Sequence, residues 1–349
     1  MSLDKHEVSM KPEQRYKAER DEAKRRTAQL EKALETLQIR YDLVTSIDGL
    51  NAAPPAWLKP IKEVKGHRGI ANTISSDQHF GEVINPAEVA YCNNYNIEIA
   101  KQRWVRHVDK FIALGLDHLG YLKYDGAHVW WNGDAFSGDI HEELAKTNRP
   151  TSTLACIDEM LDPIIAGLRE IRDAYGRLHI SARRGNHTRT SRKTPSKGRV
   201  RESYDWLFMR IIQREFRGDK LVTFDIPESD DGIIEQYNTR YLATHGDQFR
   251  GGSGISGILT PLSLGNYKKT RRQVSIGQPY DVMILGHFHQ YLTIPGIIVN
   301  GSLKGYDEYA YTSNFGFEDP LQAFWVTTPE HGPAFHTAIK VGDREAEGW

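Results

Sequence analysis

Acidic, amide and imidazole side chains recur in five short clusters along this chain. Asp77 and His79 form the first cluster, and Asp134 stands in the second. The other three clusters carry further nitrogen and oxygen ligands: Asn186, His187, His245, His287 and His289. Because this set mixes imidazole, carboxylate and amide groups, it suits manganese, iron or zinc rather than a calcium cage. Two such ions about 3.5–4 Å apart would activate a bridging hydroxide and hold phosphate oxygens for in-line attack.

Each cluster comes directly after a run of residues with high strand propensity. These runs are Ile70–Ser75, His128–Trp131, Leu178–Ala182, Tyr241–Thr244 and Val282–Leu285. In open α/β sheets, ligand-binding residues gather beyond the carboxyl ends of the strands. An Asp-x-His pair in extended chain also places both side chains on one side, so that both can face one ion. One such pair is common by chance, but five clusters in consistent order predict a metal site.

The strand-like runs, with Gly296–Val299 as a sixth, alternate with longer stretches of helical pattern. Asn85–Leu114 and Ser203–Phe216 are two of these stretches. Strands that alternate with helices in this way predict an α/β layered fold.

The order of the clusters resembles the calcineurin-like metallophosphoesterase superfamily. The matching motifs are Asp77-Gln78-His79, Gly133-Asp134, Gly185-Asn186-His187, His245 and Gly286-His287-Phe288-His289. Ser76–Gly81 is similar to the opening motif of the DNA-repair exonuclease branch, and Asn300-Gly301-Ser302 resembles the closing turn of the family. Related chains of this kind are frequent in bacteriophage genomes. The resemblance implies an α/β sandwich of two layered sheets flanked by helices.

The resemblance also implies roles for the matching residues. Three groups of ligands follow from it: Asp77, His79 and His289 for one ion, Asn186, His245 and His287 for the other, and Asp134 as the bridge. His187 would bind no metal, but would stabilise the transition state and protonate the leaving oxygen, since imidazole titrates near neutral pH. Two divalent ions are implied, with manganese preferred and iron or zinc as alternatives.

The chain departs from the family pattern at two places. Many relatives have an acidic residue directly after the Asn-His pair, whereas Thr188 stands here. If an acid must orient His187, it comes from elsewhere in the chain. The spacing from Asp77 to Asp134 is also long, and leaves room for the predicted helical segment Asn85–Leu114.

A basic segment next to His187 bears on the substrate. Residues 183–201 contain eight Lys and Arg residues and no acidic residue. Such a segment can neutralise several backbone phosphates, which favours a nuclease acting on DNA. The candidate substrate-binding residues are Arg184, Arg189, Arg192 and Lys193. Aromatic residues after the closing turn, Tyr306, Tyr309 and Tyr311, are candidates for a groove rim on which bases stack.

Three other interpretations remain open at this point. The basic segment can grip one small or cyclic nucleotide, in which case the chain is a phosphodiesterase or phosphatase. It can also be a solvated loop whose charges bind nothing in particular. Finally, the chain can be a binding module whose metal site is a remnant, although all seven candidate ligands are present.

The first 47 residues differ in composition from the rest. Leu30, Leu34, Leu37, Tyr41 and Val44 recur at heptad spacing within a highly charged segment. This pattern predicts a helical arm over residues 1–47, either laid against the chain's own body or pairing two subunits as a homodimer. The prolines and glycine that follow predict a linker over 48–69. Residues 70–340 then form the proposed metallophosphoesterase domain.

Composition excludes several classes of protein. The 349 residues carry 45 Lys and Arg against 46 Asp and Glu, which argues against a uniformly basic nucleic-acid binder. No apolar run approaches the length of a membrane span, and the first residues do not resemble a signal peptide. The 2 cysteines are far apart, which argues against a disulfide framework or a thiolate zinc site. We therefore expect a cytoplasmic, folded protein with no membrane partner.

Overall fold

The computed structural model describes residues 12–45, 57, 67–249 and 257–349. The chain divides into two units, Met1–Leu50 and Asn51–Trp349. In the first unit, residues Pro12–Thr45 form helix α1, as the predicted helical arm requires. Leu30 and Leu34 are 63% and 70% exposed, whereas the side chains of the other three heptad residues lie outside the described part. Most of the predicted linker, residues 48–69, also lies outside it, and the domain boundaries remain predictions.

Within its described residues, the second unit contains eleven strands. They are β1 Arg68–Ser75, β2 Lys123–Trp131, β3 Leu178–Ala182, β4 Val222–Asp225, β5 Gly232–Gln236, β6 Thr239–Ala243, β7 Val282–Leu285, β8 Leu292–Ile294, β9 Ile297–Val299, β10 Leu321–Thr328 and β11 Gly332–Lys340. The helices are α2 Ile97–Ala113, α3 Glu142–Thr147, α4 Thr153–Tyr175, α5 Tyr204–Glu215, α6 Leu259–Ser275, α7 Glu308–Thr312 and α8 Arg344–Glu347. A 3-10 turn at Pro86–Val89 and a π-helical turn at Leu114–His118 complete the described elements.

The strands form two mixed sheets. The first has the order β11-β10-β1-β2-β3-β4, and the second has the order β5-β6-β7-β9-β8. In the first sheet β1, β2, β3 and β4 run parallel, and β10 pairs antiparallel with β1. In the second sheet β6, β7 and β9 run parallel. Apart from β4, which lies at one edge of the first sheet, these parallel strands lie in the interior of their sheets, as buried parallel strands do.

The two sheets share one apolar core. Ile70, Trp130 and Trp325 of the first sheet pack in a single cluster with Tyr241 and Ile284 of the second. Helix α6 covers the other face of the second sheet, where Leu262 joins a further apolar cluster. Helices α4 and α5 contact the strands of the first sheet. The structure is therefore an α/β sandwich of two sheets flanked by helices, which confirms the predicted fold class.

A polar network also crosses this core. Asn72 Oδ1 accepts hydrogen bonds from Trp130 Nε1 at 2.9 Å and from Gln236 Nε2 at 2.7 Å. Gln236 Nε2 lies 2.7 Å from His128 Nδ1, and His128 Nε2 lies 2.8 Å from Ser181 Oγ. Each of these groups is buried, so the network supplies the partners that water cannot reach.

The predicted elements agree with the structure in most places. β3 and β7 have the predicted bounds, and β1, β2, β6 and β9 differ from prediction by a few residues. The predicted helix over Asn85–Leu114 was wrong in its first third, because Asn96 caps α2 by accepting from the backbone N–H groups of Glu98 and Ile99. No described helix is long and apolar enough to cross a bilayer.

Candidate metal centre

The five sequence clusters meet at the carboxyl ends of five strands. Asp77 and His79 follow β1, Asp134 follows β2, and the Asn186-His187 pair follows β3. His245 follows β6, and His287 and His289 follow β7. The first three strands belong to one sheet and the last two to the other. The clusters therefore meet where the carboxyl ends of the parallel strands of both sheets lie together. Ligand-binding residues of α/β sheets gather at this end of the strands.

The backbone at the clusters is unusual. Asp77, His79, Asp134, His287 and His289 have φ angles of 55°, 50°, 55°, 71° and 53°. This left-handed region is costly for residues with a side chain, and such strain gathers at functional sites. The expectation that Asp77 and His79 share one side of an extended chain was therefore wrong, because a turn rather than strand alternation brings them together.

Glycines permit the close approach of these turns. A Cβ added at Gly185 would overlap Asp134 Oδ1, and one at Gly286 would overlap Asp77 Oδ2. Only glycine fits at Gly185, before Asn186, and at Gly286, before His287, because any side chain would overlap a carboxylate. Each allows the loop after one strand to pass directly over a carboxylate that follows another strand.

The first group of candidate ligands contains Asp77, His79 and His289. One ligand atom from each lies within 4.8 Å of the other two. His79 Nε2 is 3.1 Å from His289 Nε2, and His289 Nε2 is 3.4 Å from Asp77 Oδ1. The structure thus brings together the three residues that the resemblance assigns to one ion.

The second group contains Asp134, His245 and His287, which meet under the same 4.8 Å limit. His245 Nε2 lies 2.9 Å from Asp134 Oδ2 and 3.1 Å from Asn186 Oδ1. The amide oxygen of Asn186 is therefore within reach of the same centre. The set matches the second group that the resemblance implies, with Asp134 added.

Asp134 lies between the two groups. His79, Asp134 and His187 form a third set of converging ligand atoms. Asp134 Oδ1 accepts from the backbone N–H of His187 at 2.7 Å, while its other oxygen faces His245. This is the position that a bridging carboxylate needs, with one group of ligands on either side.

The charges at this site depend on one another. Burial raises the pKa of Asp134, but His245 and His187 outweigh it and hold that pKa well below the usual value. Burial lowers the pKa of His245, but Asp134 outweighs it and raises that pKa to about 10. An imidazolium thus stands beside an ionised carboxylate, and a bound cation would replace that proton. The donor chemistry and the convergence of the ligand atoms both fit divalent metal ions.

The ring of His187 contacts a backbone carbonyl and a second imidazole. Its Nδ1 lies 3.2 Å from the backbone carbonyl of Ser137, and its ring centroid lies 4.6 Å from that of His79. Burial lowers the pKa of His187 to about 3, so the ring is neutral at neutral pH. The partner at Nδ1 is thus a backbone carbonyl rather than a carboxylate.

Asp205 supports the site and was missed by sequence reasoning. Its carboxylate accepts from the backbone N–H groups of Asp134, Ala135 and Gly185, at 3.1, 3.0 and 2.7 Å. It also accepts from Thr188 Oγ1 at 2.5 Å. Burial raises the pKa of Asp205 to about 6. The sequence marks it only as an acid in the first turn of α5, and gives no sign that it ties two ligand loops together.

The basic segment 183–201 is largely paired with acidic residues. The partners are Asp225 for Arg183, Asp230 and Asp247 for both Arg184 and Arg199, Glu142 for Arg192, and Glu228 for Arg201. Arg189 donates instead to backbone carbonyls, including that of Asn186 at 2.5 Å. Lys193 and Lys197 have no ion-pair partner in the described part of the chain. The charge of +8 read from the sequence is therefore mostly compensated.

Several solved structures resemble this chain at low similarity. A predicted phosphoesterase from Streptococcus pneumoniae is 13% identical over 77% of this chain and 97% of its own, with a TM-score of 0.29. Vps29 from Entamoeba histolytica, complexed with zinc, is 10% identical over 78% of this chain and 99% of its own, with a TM-score of 0.29. The sulfate thiohydrolase SoxB from Thermus thermophilus, in complex with glycerol, is 11% identical over 80% of this chain and 58% of its own, with a TM-score of 0.30.

No protein-family model matches this chain, and no curated protein sequence matches it. At TM-scores of 0.30 or less, the likenesses above carry no argument about activity or metal content. The proposals below about activity and metal content rest on the residues of this chain.

Proposed function

We propose that this chain is a two-metal phosphoesterase of the calcineurin-like type that hydrolyses phosphodiester bonds. The observation that carries the proposal is the position of Asp134 between two groups of converging ligand atoms. Asp77, His79 and His289 would hold one ion, and Asn186, His245 and His287 the other. When bound, two such ions supply a nucleophile at neutral pH and neutralise charge on the phosphoryl oxygens.

His187 would act on the leaving oxygen. Its Nδ1 faces the Ser137 carbonyl, which leaves Nε2 for the substrate. The pKa of His187 is low in the absence of substrate, so the ring must gain its proton as the substrate binds. A phosphodiester anion next to the ring favours the charged imidazole, which can then protonate the leaving group.

For the substrate, we propose DNA, cut by nuclease action. Arg189, Lys193 and Lys197 are the cations of the basic segment without an acidic partner among the described residues, and they can contact backbone phosphates. Tyr309 and Tyr311 are 70% and 45% exposed, which suits the stacking of bases. These two features support a polymeric substrate.

A second candidate is a small or cyclic nucleotide. A cleft of about 660 Å³ opens beside Asn186 and His287 and is walled by Arg199, Asp230 and Asp247. Because Arg199 is paired with both carboxylates, this wall offers no excess positive charge to a polyanion. A cleft of this size next to the candidate ligands, without excess positive charge, favours a substrate of one nucleotide over a polymer.

One assay panel tests both candidates. Protein loaded with manganese, iron or zinc is given single- and double-stranded DNA, RNA, cyclic nucleotides and bis(p-nitrophenyl) phosphate over a range of salt. A nuclease should cut DNA with a steep loss of activity as salt rises, whereas activity on a single nucleotide should change little. His79→Ala is the inactive control. Strong activity on small esters without cleavage of any nucleic acid would overturn the nuclease proposal, and no hydrolysis of any ester would overturn both.

We propose further that α1 pairs two copies of the chain. The exposure of Leu30 and Leu34 supports this proposal, because heptad residues of a paired helix face the partner. Removal of residues 1–47 should then halve the mass measured in solution by light scattering. An equal monomer mass for both forms would contradict the pairing.

A further inference from the structure

A buried ionic chain lies behind the first group of candidate ligands. Glu82, Lys304 and Asp307 are 5%, 2% and 7% exposed. Lys304 Nζ donates to Glu82 Oε1 at 2.7 Å and to Asp307 Oδ2 at 2.5 Å. Burying these charges is costly, and a hydrophobic replacement would often be no less stable. A role beyond stability is therefore the better explanation of these three buried charges.

The second oxygen of Glu82 points at the site. Glu82 Oε2 lies 3.4 Å from His79 Nδ1, the ring nitrogen turned away from Asp77 and His289. That Nδ1 atom is buried and has no hydrogen-bond partner within the usual distance among the described residues. Glu82 Oε2, at 3.4 Å, is therefore the candidate acceptor for its proton. A carboxylate in this place favours the tautomer with the proton on Nδ1, which leaves Nε2 free to bind an ion.

The same oxygen reaches His187 through one intermediate residue. Ser137 Oγ lies 3.2 Å from Glu82 Oε2 and 3.1 Å from Asn148 Oδ1. Its single hydrogen can be donated to only one of them, and the charged carboxylate is the stronger acceptor. The backbone carbonyl of Ser137 then lies 3.2 Å from His187 Nδ1. Glu82 therefore helps to hold the residue whose carbonyl orients His187, whereas Thr188 Oγ1 donates to a different carboxylate, that of Asp205, at 2.5 Å.

The backbone of Lys304 is itself held in place. Its carbonyl accepts from Arg103 Nη1 at 2.5 Å and from Asn93 Nδ2 at 2.9 Å. Arg103 in turn forms a fully buried ion pair with Glu347 at 2.6 Å. Glu82 thus sits on a rigid support that runs from α2 to α8, as a precise positioning group needs.

We infer that Glu82 is a positioning residue that orients both His79 and His187, and so does the work of the acid missing after the Asn-His pair. The inference rests on the proposed function for its link to catalysis. Its structural content is independent of turnover: Glu82 sets the tautomer of His79 and the ring orientation of His187.

The test is Glu82→Gln, a change that keeps the size of the side chain and removes its charge. Outer partners of this kind are worth about 10- to 100-fold in metal affinity. We therefore expect calorimetric titration with manganese or zinc to show affinity lower by about tenfold or more at the group of ligands that contains His79. Nitrogen NMR of the metal-free protein should show His79 losing its preference for the Nδ1-protonated tautomer, and kcat should fall while KM changes little.

Glu308→Gln is the matched control. Glu308 is a half-buried carboxylate in the same region that accepts from the backbone N–H of Asn85 at 2.8 Å and contacts no candidate ligand. It should keep metal affinity, histidine signals and kcat within about twofold of the parent.

The outcomes separate the inference from the proposed function. Parental metal affinity and an unchanged His79 tautomer in Glu82→Gln would overturn the inference, even if activity were lost. Reduced affinity with a shifted tautomer in a protein that hydrolyses no ester would support the inference and overturn the function. If Glu82→Gln does not fold, Ser137→Ala serves instead: removal of its hydroxyl should shift the His187 signals and leave His79 unchanged, and no shift would overturn the link to His187.

Discussion

Two sets of buried histidines can be compared within this one molecule. The core set, His107, His128 and His179, lies within helix α2 and strands β2 and β3. Its partners are neutral: His107 Nε2 lies 2.8 Å from Thr73 Oγ1, and His179 Nδ1 lies 2.8 Å from Thr223 Oγ1. Each of these two rings has one hydroxyl partner, while its other nitrogen, His107 Nδ1 or His179 Nε2, is buried without a hydrogen-bond partner among the described residues.

The site set lies just beyond strand ends, and its partners are carboxylates and other imidazoles. His245 faces Asp134 at 2.9 Å, and His79 faces His289 at 3.1 Å. Burial is nearly complete for His128 and for His245 alike. The chemistry of the partners, rather than burial, therefore distinguishes a candidate ligand from a structural histidine.

The pKa values single out His245 alone, because burial also lowers the pKa of two site histidines, His187 to about 3 and His287 to about 4. Burial lowers the pKa of His107 to about 3 and that of His179 to about 4. His245 is as deeply buried, yet Asp134 raises its pKa to about 10. The core set is therefore built to stay neutral, whereas the site contains a ring that stays charged until a cation displaces its proton.

The largest expected effect is on activity at the site. Asp134→Asn removes the one carboxylate that both groups of ligands share, so we expect kcat to fall by about a thousandfold or more. The fold should remain, because Asn can keep the hydrogen bond from the His187 backbone. Steady-state kinetics and circular dichroism check both points. Activity above a tenth of the parent would show that Asp134 does not bridge.

The next effect is an opposite pH dependence of stability from His179 of the core set and His245 of the site set in metal-free protein. As pH falls from about 6.5 towards 4, the unfolded chain binds a proton at His179 that the folded chain refuses, so stability should fall by about 3 kcal/mol from this residue. For His245 the stabilisation is complete below about 6.5 and is lost as pH rises towards 10.

Denaturant unfolding measured across pH gives the free energy of unfolding on the acid limb, towards pH 4, and on the alkaline limb, towards pH 10. His179→Gln should flatten the acid limb and leave the alkaline limb unchanged, and His245→Gln should do the reverse. If one variant flattened both limbs, the two sets would be a single coupled network, contrary to the comparison.

A smaller effect is expected from metal removal. Metal at a hundred times its Kd stabilises the folded chain by about 2.7 kcal/mol, which corresponds to a Tm higher by several degrees. A chelator should remove this gain in the parent, and Asp134→Asn should show little gain to remove. His128→Gln should keep the full gain on a lower baseline, because the core set takes no part in metal binding. Scanning calorimetry with and without EDTA decides the matter.

The smallest effect concerns the ion pairs of the basic segment. Arg192 and Glu142 are 70% and 67% exposed, and such a pair contributes about 0.5 kcal/mol or less. Arg192→Ala should therefore leave Tm unchanged within about a degree. If DNA is the substrate, its KM should rise modestly at low salt and not at high salt. A rise at both would mean that Arg192 contacts something other than phosphate.

The sequence predicts the candidate ligands well because their signal is local. Each follows a strand-like run, and the core histidines His128 and His179 are set apart by lying inside such runs. Asp205 could not be found in this way, since the backbone groups of Asp134 and Gly185 that it binds are 71 and 20 residues away. Glu82 is close to His79 in the sequence, but its partners Ser137 and Lys304 are 55 and 222 residues away. Arg184 pairs with Asp230, which is 46 residues away, so the sequence gives no sign of this ion pair. The sequence therefore made the charges of the basic segment look uncompensated.

Strand β10 has a consequence for how this protein is made. Thr73 and Ala323, which are 250 residues apart, are joined across β1 and β10 in the middle of the first sheet. A ribosome adds about 5–20 residues per second, so β1 waits for tens of seconds with an open, apolar edge before its neighbour exists. Asp77 and His79 follow that edge directly. We therefore expect the site to form only after synthesis has passed β10, and nascent chains to need a chaperone during that interval.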